Sequence, residues 1–136
     1  MSEPAGALDG LRVLDLTGHR AQLCARLLAD MGADVIKVEP PAGDDARRIG
    51  PFLDDLPHRD RSLFFWFYNL NKRSLTLDLE SPRGVEILLQ LSRSADVIVE
   101  SFAPGTLDKM GLGWPALHRE NPALVLCSIA PKYEAE

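Results

Sequence analysis

Residues 11–39 restrict the fold of this chain more than any other stretch. LRVLDLT at 11–17 is an apolar run of strand length. Leu23, Leu27, Leu28 and Met31 then recur at helical spacing, which predicts an amphipathic helix over 20–31. Gly32 ends that helix in the usual position for a C-terminal cap. ADVIKVE at 33–39 is a second strand. Strand, helix and strand in this order form a βαβ unit, which requires parallel pairing and a right-handed crossover.

The alternation continues downstream. SLTLDL at 74–79 has the period of a strand. Ser81-Pro82 is a helix start, with Ser as N-cap and Pro at the first helical position. Val85, Leu88, Leu89 and Leu91 carry that helix to about Ser94. Residues 96–100 read as the next strand, 114–120 as a short helix and 124–129 as a final strand. The pattern predicts an α/β fold with a mostly parallel sheet, in a single domain over 1–136. Residues 40–62, rich in Pro, Gly, Asp and Arg, read as a long irregular loop of the kind that is functional or disordered. LFFWFY at 63–68 reads as a buried helical turn beneath it.

Composition narrows the partners. A net charge of -5 without a Lys/Arg block argues against nucleic acid. No apolar run approaches the ~20 residues of a membrane span. MSEPAGALDG at the start lacks the basic and apolar regions of a signal peptide. Cys24 and Cys127 lie in apolar segments and read as reduced core thiols, which suits a cytoplasmic protein.

The strongest candidate site is ADVIVESFAPGTLDKMG at 95–111. A strand there opens directly into a helix start, where free N–H groups can hold phosphate, and Lys109 adds a cation. The first strand–helix junction places His19 and Arg20 at the mouth of the same crevice. His19 is open to two readings, a ligand contact or catalytic base, and a surface histidine at a helix start. Arg47 and Arg48, after Asp44 and Asp45, have the chemistry to pair with an anion or simply to face solvent. Asn71-Lys72-Arg73-Ser74 is a second basic spot with the same two readings. His58 and His118 are isolated, and no His/Cys/Asp/Glu spacing fits a metal. The sequence contains no G-x-G-x-x-G, Walker or G-x-S-x-G motif, so catalysis has no clear carrier on these grounds.

Several segments together carry a family resemblance. LDGLRVLDLT, CARLLADMGADVIKVEPPAGDDAR, FFWFYNLNKRSLTLDLESPRG, ADVIVESFAPGTLDKMGLGW and NPALVLCSI resemble the N-terminal region of class III CoA-transferases of the CaiB/BaiF type. That family includes formyl-CoA transferase, carnitine CoA-transferase and α-methylacyl-CoA racemase. The resemblance implies a Rossmann-like N-terminal part of a longer enzyme whose two chains interlock as a homodimer. It implies CoA or acyl-CoA as substrate, a carboxylic acid as acceptor, and no metal. The CoA-contacting positions it implies are His19, Ala21, Leu77, Ser101, Phe102, Thr106 and Lys109, with Phe102 against the adenine and Lys109 at a phosphate. The family's catalytic Asp would lie past a glycine-rich segment following Ile129, so none of the 20 acids takes that role and the isolated chain is expected to be inactive.

Two positions depart from the family pattern. Ala21-Gln22-Leu23 stands where relatives carry A-G-P, one residue shorter, and Ser101 replaces the common Asn. PKYEAE at 131–136 lacks the glycine-rich continuation. These departures and the short length favour one alternative, a non-catalytic binding or assembly domain; the other alternative is the N-terminal part of a racemase or isomerase of the same family.

Overall fold

The computed structural model describes residues 6–130. The expectations for MSEPA at the start and PKYEAE at the end therefore lie outside the described residues. Five strands form one all-parallel sheet: β1 (Arg12–Leu16), β2 (Asp34–Glu39), β3 (Arg73–Thr76), β4 (Val97–Glu100) and β5 (Val125–Ser128). Their order is β3-β2-β1-β4-β5. Helices α1 (Gln22–Asp30), α2 (Leu63–Asn69), α3 (Pro82–Ser92), α4 (Thr106–Lys109) and α5 (Trp114–Glu120) lie between the strands in sequence. The expected α/β architecture is present. No described helix is long and apolar enough to cross a membrane.

β1 sits at the centre, with Val13 opposite Val35 and Val97, and Leu14 opposite Ile36 and Ile98. Side chains alternate faces along each strand, so the core divides in two. Leu14, Ile36, Val38, Leu88, Ile98 and Leu117 pack on one face. Val13, Val35 and Val99 pack with Ala25 and Ala29 of α1 on the other. Here the predicted helix face is corrected. Leu23, Leu27 and Met31 are exposed, while small Ala25 and Ala29 meet the sheet. Residues 20 and 21 belong to a turn, in which Ala21 N–H donates to Gly18 O, so α1 starts at Gln22. After α1, Gly32 has φ +101 and lies against the Gly6 backbone, so no side chain fits there.

The 40–62 segment is more ordered than expected. It holds two 3₁₀ turns, Asp45–Arg48 and Leu53–Asp55, and an antiparallel bridge from Phe52 to Ser62. Ser62 is fully buried; its hydroxyl donates toward Ala46 O and Ile49 O and accepts Phe65 N–H, capping α2. LFFWFY is helical but not a buried turn. Phe65 alone is buried in α2, and Trp66 and Phe67 are exposed. Consecutive helical side chains point about 100° apart, so a run of aromatics cannot face one way.

Candidate functional site

All five strands run the same way, so their carboxyl ends share one edge of the sheet. The chain leaves β1 toward β2 on one side and later returns to β4 on the other. Outgoing loops diverge at such a reversal and open a crevice. A cavity of about 480 Å³ lies there. Leu16, Thr17 and Gly18 form its floor, Val38 to Ala42 one side, Leu77 to Glu80 the next, and Phe102 and Met110 the last. A second depression, lined by His19, Arg20, Ala21 and Ser101, adjoins it through Gly18. A third, lined by Thr106 and Lys109, adjoins it through Leu79, Glu80 and Met110.

The seven candidate residues thus surround one continuous groove without meeting at a point. Leu77 and Phe102 supply apolar wall. His19 is half-buried, and Arg20 beside it is exposed. Ala21 is buried. The Ser101 hydroxyl accepts Gly18 N–H at 2.8 Å, which ties the loop after β1 to the loop after β4. The 95–111 junction works differently from expectation. α4 is a single turn, and its Thr106 N–H is already spent on Ala103 O. A helix this short adds little dipole, so the cation at that rim is the exposed Lys109. α1 is longer, no side chain caps its start, and that start adjoins His19 and Arg20.

In the two inland basic spots, acids of the chain hold three of the four cations, Lys72, Arg73 and Arg47. Lys72 Nζ donates to Asp15 Oδ2 (2.7 Å), Gln22 O (2.9 Å) and Asn69 Oδ1 (2.9 Å). Arg73 pairs with Asp34. Arg47 grips Glu39 through two bonds, of 2.6 and 2.8 Å, and lies over the Phe65 ring. Arg48 is exposed on the same turn. His58 is exposed and His118 stacks on Trp114, both away from the groove. Among the described residues no three His, Cys, Asp or Glu side chains converge as metal ligands. Cys24 and Cys127 are free and half-buried on the α1 side of the sheet. Burial, followed by the neighbouring Cys127 thiol, pushes the Cys24 thiol up, away from the reactive thiolate.

What sequence reasoning missed is a buried charge network under the groove. Lys37 is almost fully enclosed; its ammonium donates to Thr17 O and pairs with Asp44 at 3.1 Å, with Asp15 at 4.0 Å. Asp15, Glu39 and Glu100 lie at or near the ends of the three central strands, and each accepts an N–H of its own outgoing loop. The donors are Thr17 (2.9 Å), Asp44 (3.0 Å) and Phe102 (2.8 Å). The signal was present as charged residues inside otherwise apolar strands, in VLDLT, VIKVE and VIVES.

Comparison with known proteins identifies the relatives of this arrangement. The family model described as CoA-transferase family III matches residues 8–131. A formyl-CoA:oxalate CoA-transferase from Afipia carboxidovorans is 49% identical over 126 residues, covering 92% of this chain and 29% of the relative. One from Rhodopseudomonas palustris is 49% identical over 124 residues, covering 90% of this chain and 28% of the relative. The chain therefore spans less than a third of the length of these curated relatives. A solved CAIB/BAIF family protein from Brucella suis superposes with a TM-score of 0.84 at 42% identity, over 92% of this chain and 33% of that one. Rv3272 from Mycobacterium tuberculosis, in its orthorhombic form, gives 0.84 at 40% identity, over 94% of this chain and 35% of that one.

Proposed function

The chain belongs to CoA-transferase family III, and from that premise we propose that it is the N-terminal, CoA-holding portion of a transferase. The whole enzyme would move CoA between an acyl-CoA thioester and a carboxylic acid. The observation that carries this reading is the groove itself: largely apolar walls at its centre, with the acids Asp78 and Glu80 on one side, and cations at its flanks. CoA combines a flat purine with phosphates and a flexible thiol arm. Phe102 and Leu77, with Leu16, Val38 and Met110 nearby, offer the purine an apolar slot. Lys109 lines one flank, and His19 and Arg20 the other beside the open start of α1, and in this reading they would meet phosphate. Ala21 and Thr106 contribute to the same two flanks, and Ser101 holds the loops together.

Asp78 and Glu80 on one wall of the groove form no ion pair among the described residues, whereas the buried acids beneath it are occupied. Asp15, Glu39 and Asp44 are held by Lys72, Arg47 and Lys37. None is proposed as a nucleophile, and the 136 residues alone are proposed to be inactive. A cytoplasmic location, a homodimer and a single CoA-binding domain over 1–136 complete the proposal.

Calorimetry with CoA tests it. The chain should bind CoA weakly but measurably, and Lys109→Ala should weaken binding about tenfold, the cost of one charge-assisted contact. A folded chain that ignores millimolar CoA would instead support a binding or assembly domain. Turnover of any acyl-CoA and acid pair by the chain would refute the proposed inactivity.

A further inference from the structure

Glu100 ends β4 with only 6% of its surface exposed. Its Oε2 accepts Phe102 N–H at 2.8 Å. Asp15 and Glu39 do the same for their own loops, but each also has a cation in contact, Lys72 at 2.7 Å and Arg47 at 2.6 Å. Glu100 takes part in no ion pair among the described residues, and Phe102 N–H is the one donor bonded to its carboxylate there. A buried carboxylate in that position depends on the bond it has, since losing the bond leaves the charge uncompensated. Hydrogen bonds between a carboxylate and a backbone N–H are also among the stronger kind.

The placement is informative too. Glu100 does not line the main groove. It lines a neighbouring cavity of about 290 Å³, with Asp108, Trp114 and Ser128. Phe102 lines both spaces. The carboxylate therefore lies outside the main cavity, in a neighbouring one that meets it at Phe102.

We propose that Glu100 is a positioning residue for Phe102. Its carboxylate fixes the backbone at the turn out of β4, and so fixes the ring as one wall of the groove. Ser101, bonded to Gly18 N–H, sets the distance from that wall to the floor. The ligand in this inference rests on the CoA reading; the geometry does not.

Two variants separate the acceptor from the charge. Glu100→Gln keeps an acceptor oxygen, whereas Glu100→Leu removes acceptor and charge at similar size. Exchange of the Phe102 amide with D2O, followed by NMR on the full chain without ligand, reads the bond directly. Exchange should be slow in the wild type and the Gln variant, and at least about tenfold faster in the Leu variant. A Phe102 amide in the wild type that exchanges as fast as that of Ala103 next to it overturns the proposal, whether or not the Leu variant folds. CoA affinity gives the second arm. Glu100→Leu should weaken binding about tenfold, Glu100→Gln less than about threefold, and Glu100→Leu should cost nothing further in a Phe102→Ala background. Additive losses would show a general loosening of the fold and overturn the proposal. A wild type without CoA affinity removes the CoA reading alone, and amide exchange still decides the role of Glu100.

Discussion

Lys72 stands just before a largely exposed strand, yet its side chain is 1% exposed. Burial pushes its ammonium below the usual lysine value, against Asp15, which favours the charged form. Lys72→Met would leave Asp15 with Lys37 at 4.0 Å as its nearest cation. Urea unfolding should then show a loss of about 3–5 kcal/mol, partly recovered by adding Asp15→Asn. Glu39 responds to pH. Burial pushes its carboxyl up, but the Arg47 hydrogen bonds, the Asp44 N–H and the Arg47 and Lys37 charges outweigh burial and hold it below the usual carboxylate range. Its folded value is thus below its unfolded one. The stabilisation is complete above the unfolded value and is lost as pH falls through it toward the folded value. Melting temperatures should therefore drop more steeply for the wild type than for Glu39→Gln below about pH 5. Parallel slopes would refute this. Neither role was legible in the sequence, where Lys72 and Arg47 read as cations either for an anion or for solvent. Their partners come from other strands, and a linear reading does not pair Lys72 with Asp15.

The elements themselves were largely legible. Apolar runs marked four of the strands and alternation marked β3, and Ser81 caps α3 as its position suggested, accepting Gly84 N–H at 3.0 Å. β3 is shorter than expected, at Arg73–Thr76, because it pairs with β2 alone before the chain turns off at Leu77 to wall the groove. The faces of the helices were less legible. Hydrophobic periodicity weighs large side chains, but α1 lies close to the sheet and uses Ala25 and Ala29 for contact, with Leu28 packed at the edge and Leu23, Leu27 and Met31 outside. Gly84 makes a similar close approach on α3. A Cβ there would lie 1.7 Å from Asp78 O, in the segment that walls the groove. Gly84→Ala should cost about 1–3 kcal/mol and lower the melting temperature. An unchanged melting temperature would mean that residues 78–81 yield freely.

Across the whole molecule, the outer surfaces of α1 and α2 carry Leu23, Leu27, Met31, Trp66, Phe67 and Leu70, each more than 40% exposed. Arg26 over the Phe67 ring joins the two helices into one face. Apolar surface gathered in this way usually finds a partner. Light scattering should show concentration-dependent self-association, reduced by Leu27→Lys with Phe67→Ser. A clean monomer at high concentration would count against it. The seven positions that the resemblance implies for CoA contact line the three adjoining depressions. The resemblance did not show that Ser101 bonds to Gly18 or that α4 is a single turn, because both depend on how loops from different strands meet. The buried network has a further effect, on how the chain reaches its native state. The first strand–helix–strand unit has every local signal to form early, yet Asp15 inside it waits for a lysine 57 residues away. A partial fold would enclose that carboxylate with its closest cation missing. Early, incomplete structures are disfavoured for that reason, and the groove floor and the 40–72 segment should form in one cooperative step.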